Sequence, residues 1–107
     1  MTAPQLEPHT LVLMRRPAGA PDLPEAELER LQAGHLANLA ALRDRGLLAV
    51  AGPFTDQEDE SLRGLCLFRC GAEEARALMA EDPSVRAGRL YADVFTWLTA
   101  PGALPLD

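Results

Sequence analysis

Four short apolar runs and two stretches of helical periodicity follow one another along this chain in the order β-α-β-β-α-β, and few folds accept that order. The first run, Thr10–Arg15, stops at Arg16-Pro17 and reads as a strand. After a loop rich in Pro, Gly and Ala, Pro24 begins a helix, because its missing N–H would have no helical partner there. Glu25 and Glu27 suit the positive end of the helix dipole. Leu28, Leu31, His35, Leu39 and Leu42 recur every three or four residues and form one face. Arg43 and Arg45 occupy the last turn and Gly46 stops it, so the spacing predicts a helix over Pro24–Arg45. Leu47–Ala51 is a buried-type strand running into Gly52-Pro53. Gly64–Cys70 is a third strand, with Leu65 and Leu67 on one face and Cys66, Phe68 and Cys70 on the other. A second helix, Ala72–Ala80, breaks at Asp82-Pro83, since the residue before a proline avoids the helical region. Ser84–Gly88 adds one helical turn, and Leu90–Thr99 is the last strand.

This order is the split βαβ, ferredoxin-like arrangement of the α+β class: a four-stranded antiparallel sheet with both helices on one face. The predicted domain is 9–99, flanked by short tails at 1–8 and 100–107. The strands are apolar on both faces, Phe68 against Leu67 and Val94 against Phe95. Two helices cover only one face, and a bare apolar face of that size exceeds what monomers expose. The expectation is a homodimer through the open sheet face, a dimeric α+β barrel.

Composition removes several function classes. A net charge of -6 over 107 residues argues against nucleic acid, which wants clustered cations. No run of 18 apolar residues exists, so no membrane-spanning helix is expected. The start, MTAPQLEPHT, lacks a basic-then-apolar leader, and the expected location is cytoplasmic. All ten cations are arginine, and Lys and Ile are absent, which reflects a GC-rich genome rather than a function. Cys66 and Cys70 would lie about 13 Å apart on one strand. A disulfide needs Cα atoms within about 7 Å, so both read as reduced core cysteines.

His35 is the most informative polar position. It interrupts the leucine stripe, where it is either a satisfied core histidine or an acid–base group, imidazole being the side chain that exchanges protons near neutral pH. Asp82, at the break between two helical pieces, either caps the following turn or orients His35 across a helix–sheet groove. Gly52-Pro53 ends a strand and is a turn or a groove wall. Arg86 and Arg89 flank Ala87-Gly88 and are either solvated and ion-paired or set to bind an anionic substrate. Asp56, Glu58, Asp59 and Glu60 lack metal-loop spacing and read as a solvated loop. His9 has no partner in the sequence and is placed at the surface. No P-loop, GxGxxG, CxxC or HExxH occurs, so neither a nucleotide cofactor nor a metal is implied.

The stretch His35-Leu36-x-x-Leu39-x-x-Leu42-x-x-x-Gly46-x-Leu48-x-x-x-Gly52-Pro53, then Gly64, then Glu73-Glu74-Ala75 through Asp82-Pro83-x-x-x-Ala87-Gly88, resembles the YCII-related domain. The resemblance covers about residues 9–99. It implies a small dimeric α+β barrel whose marked pair, one His and one Asp, falls on His35 and Asp82. It also implies a superfamily that includes muconolactone isomerases and cofactor-free oxygenases, with a relative in chlorinated-aromatic breakdown.

The resulting expectation is a cofactor-independent enzyme. His35 would be its acid or base and Asp82 its orienting carboxylate. Gly52, Pro53 and Arg86 would meet a small cyclic or aromatic substrate, which reacts by elimination or isomerisation. The alternative is a non-catalytic dimer of the same fold that holds a small ligand or an interaction partner.

Overall fold

The computed structural model describes residues 5–106. In chain order the elements are β1 (Glu7–Arg15), α1 (Glu25–Asp44), β2 (Leu48–Pro53), β3 (Leu62–Phe68), α2 (Ala72–Ala80), α3 (Pro83–Arg86) and β4 (Tyr91–Thr99). The strands form one sheet in the order β2-β3-β1-β4, and every neighbouring pair is antiparallel. Each helical crossover therefore skips one strand, as the ferredoxin-like arrangement requires.

Side-chain alternation sorts the sheet into two faces. Val12 and Met14 of β1, Cys66 and Phe68 of β3 and Leu48 of β2 point toward the helices, where they close on Leu42 of α1 and on Ala75 and Met79 of α2. Ala75 and Met79 are four apart and fully buried, so α2 offers the core a single ridge. Burying Val12 and Met79 contributes about 1.5–3 kcal/mol each. The opposite face carries Leu11 and Leu13 of β1, Leu65 and Leu67 of β3, and Tyr91, Phe95 and Trp97 of β4, the last three exposed. No helix among the described residues is long and apolar enough to cross a membrane.

Several boundaries differ from expectation. Strand β1 starts at Glu7, not Thr10, because β4 continues to Thr99 and pairs with it there. Pro8 is tolerated because pairing with β3 begins only at Thr10, so at Pro8 the strand has a neighbour on one side. The expected 1–8 tail thus loses its end to the sheet, and residues 1–4 lie outside the described residues. Strand β3 stops at Phe68: the Arg69 amide turns to donate to the Leu47 carbonyl at 2.8 Å, and Thr10 Oγ1 donates to the Cys70 carbonyl at 2.6 Å. Cys70 therefore sits in a bend, half-buried, and both cysteines are free thiols. His9 is not a lone surface histidine. It is half-buried on the open face, its Nε2 is hydrogen-bonded to Thr99 Oγ1 at 2.9 Å, and its ring lies 6.3 Å from that of Trp97.

Candidate functional site

The site starts from a face of α1 that the leucine stripe only partly reveals. Leu31, Gly34, His35 and Asn38 are spaced three, one and three residues apart, one side of a helix. Against that side packs the turn Asp82-Pro83-Ser84. Pro83 forces Asp82 into an extended conformation, with ψ at 133°. It then opens α3 as the first helical residue. The fit depends on Gly34: a Cβ there would stand 3.1 Å from Pro83 Cγ and 3.3 Å from Pro83 Cβ. Ser84 Oγ donates to the Leu31 carbonyl at 3.3 Å and ties the turn to the helix.

This docking carries the Asp82 side chain, fully buried, onto His35. His35 Nδ1 donates to Asp82 Oδ2 at 2.8 Å, since a carboxylate oxygen only accepts. Asn38 Nδ2 donates to the same oxygen at 2.9 Å. The other carboxylate oxygen accepts the Ser84 amide at 2.9 Å and so caps α3. The two roles weighed for Asp82 from sequence are thus not alternatives, because one oxygen serves each. Burial pushes the Asp82 carboxyl up. The hydrogen bonds from His35 and Asn38, the charge of His35 and the Ser84 amide outweigh it, and the net shift is downward.

Beyond His35 lies a cavity of about 230 Å³ between α1 and the sheet. His35, Leu36 and Leu39 form its helical wall, and Gly52, Pro53 and Gly64 form its floor at the ends of β2 and β3. Gly64 is required by close approach: a Cβ on it would lie 2.8 Å from the Gly52 carbonyl oxygen. His35 Nε2 has no hydrogen-bond partner among the described residues, and its ring borders the cavity. Asp82 does not border it and stands behind the imidazole. Cys66 does, but burial, and then the charge of Asp82, pushes its thiol up to about 12, so it is protonated near neutrality and a poor nucleophile.

Gly52 and Pro53 therefore sit at the cavity wall, whereas Arg86 does not. Arg86 lies on α3 with its side chain exposed, 3.9 Å from Glu81. The arginines that do border the cavity, Arg16 and Arg63, were missed in sequence, as was Asn38. The three-residue spacing of His35 and Asn38 was a usable signal for the last. Asp56, Glu58, Asp59 and Glu60 are all exposed. Among the described residues no three His, Cys, Asp or Glu side chains are grouped so as to hold a metal ion.

Residues 10–97 match the YCII-related domain, most of the chain. The chain belongs to that family. A search of curated proteins found no match. Among solved structures, this YCII-related chain is similar to the 5-chloro-2-hydroxyhydroquinone dehydrochlorinase of Burkholderia phenoliruptrix, determined in complex with 2,5-dihydroxybenzoquinone. The TM-score is 0.59 at 22% identity, over 83% of this chain and 92% of that one, a likeness of fold.

Proposed function

We propose that this YCII-related protein is a cofactor-independent acid–base enzyme acting on a small cyclic or aromatic compound by elimination or isomerisation. The observation that carries this reading is the buried contact of His35 Nδ1 with Asp82 Oδ2 at 2.8 Å, with the imidazole bordering a cavity. With Nδ1–H committed to Asp82, the neutral ring offers Nε2 as a base. His35 Nε2 takes a proton from a substrate carbon. The electron pair of the broken C–H bond forms a new double bond. In elimination a leaving group departs with its own bonding pair; in isomerisation the pair of an adjoining double bond shifts onward and takes the same proton at another carbon. Asp82 stabilises the imidazolium formed meanwhile. The family and the fold shared with a dehydrochlorinase support this class of chemistry. The protein acts as a homodimer paired through the open sheet face, whose exposed Tyr91, Phe95 and Trp97 support that pairing.

The test is a panel of small lactones, quinones and halogenated phenols, with 5-chloro-2-hydroxyhydroquinone included and chloride release as one readout. Wild type turns over a member of the panel, and folded His35→Gln loses that turnover by about a hundredfold or more. A folded His35→Gln that retains full turnover refutes the role of His35. Tight ligand binding without any turnover favours the non-catalytic ligand-binding module instead.

A further inference from the structure

The cavity beside His35 adjoins a smaller one of about 130 Å³, and the two share Arg16, Gln32 and Leu90. Leu28 and Leu31 of α1, Ser84 of α3 and Arg89 complete the smaller compartment. Its charged lining has one sign. The chain carries 16 acidic residues against 10 arginines, yet no Asp or Glu borders either cavity, while Arg16, Arg63 and Arg89 do. Arg16 stands where the two meet. Its Nε is buried without a hydrogen-bond partner among the described residues. Burial, and then the charges of Arg89 and Arg63, lower its pKa. Neither neighbour supplies a counter-charge: Arg89 donates to the Pro21 carbonyl at 2.9 Å, and Arg63 reaches outward to Glu60 at 3.5 Å. A partly buried guanidinium facing like charges with an unpaired donor is unfavourable on its own, and becomes favourable when an anion sits between them. Its planar fork matches a carboxylate, with two parallel N–H donors to two oxygens. Gln32 and Ser84 add neutral polar groups and no competing charge.

We propose that the compartment bounded by Arg16, Arg89, Gln32 and Ser84 receives the carboxylate of a small organic anion whose ring fills the adjoining cavity against His35. Substrate class follows for the proposed enzyme, namely a cyclic or aromatic carboxylate. That last step rests on the acid–base reading, whereas anion binding does not.

The experiment reads binding alone and needs no turnover. The Arg Nε–H resonances of the protein are followed by NMR during titration with benzoate and with its neutral counterpart benzamide. Benzoate is expected to move the Arg16 Nε–H signal saturably and to bind about tenfold or more tightly than benzamide. Arg16→Gln and Arg89→Gln each weaken benzoate about tenfold and leave benzamide unchanged, which also reports that the cavity is intact. The proposal is overturned if benzoate moves no arginine side-chain signal, if benzamide binds as well as benzoate, or if both variants keep wild-type benzoate affinity. A failure of the acid–base reading appears only as absent turnover with these binding results unchanged.

Discussion

Replacing Asp82 tests the structural core of the site. Its carboxylate is fully buried and accepts from His35 Nδ1, Asn38 Nδ2 and the Ser84 amide. Asp82→Ala removes all three bonds. Loss of the cap on α3 costs about 1 kcal/mol. The His35 and Asn38 donors, left without a partner, cost about 1–3 kcal/mol each. The total, about 3–7 kcal/mol, is comparable with the whole stability of an ordinary domain, about 5–15 kcal/mol. Asp82→Asn is milder. Its one oxygen keeps the cap, and His35 can change tautomer, but the new amide donors face Asn38; the expected cost is about 1–3 kcal/mol. Urea denaturation at neutral pH reads both as shifts in midpoint at constant slope. A pH series adds a sign. The carboxyl of Asp82 is held below its ordinary value in the folded state. Its stabilising contribution is therefore complete above the unfolded value of about 4 and disappears as pH falls through the lower folded value. The gap between wild type and Asp82→Asn should shrink as the pH falls below about 4. An Asp82→Ala loss under about 1 kcal/mol, or a gap that widens as the pH falls below about 4, would refute the reasoning.

Other outcomes follow from the same contacts. Gly34→Val pushes a branched side chain into Pro83, and about 1–3 kcal/mol of stability is lost, readable as a lower urea midpoint; an unchanged midpoint contradicts the close docking of α3 on α1. With Cys66 buried and its thiol pushed up to about 12, a thiol reagent at mildly alkaline pH labels the half-buried Cys70 first and Cys66 only on unfolding. Labelling of Cys66 first, by mass spectrometry, would contradict that burial. In sedimentation, wild type runs as a dimer and Phe95→Glu, on the open face, as a folded monomer; a monomeric wild type removes the proposed pairing.

The order of elements was legible because apolar runs, two stretches of helical periodicity and the breaks at Gly46 and Asp82-Pro83 all point the same way. The start of β1 was not, because Pro8 reads as a breaker until the end of β3 is known. His35 and Asp82 each stood out in sequence, but their meeting depends on Gly34 admitting Pro83, a tertiary fit that no spacing encodes. Arg16 was hidden by its place beside Pro17, where it reads as the end of a strand. The turn after α2 offered Arg86 and Arg89 as equals, and packing turned Arg86 outward toward Glu81 while Arg89 borders the smaller cavity.

The most direct measurement is the tautomer of His35, from nitrogen-15 NMR of the ring in its neutral form. The hydrogen bond to Asp82 predicts a proton on Nδ1 and a bare Nε2 facing the cavity, with that preference lost in Asp82→Asn. A proton resident on Nε2 in the wild-type protein would mean that the cavity faces a donor rather than a base, and the account would fail.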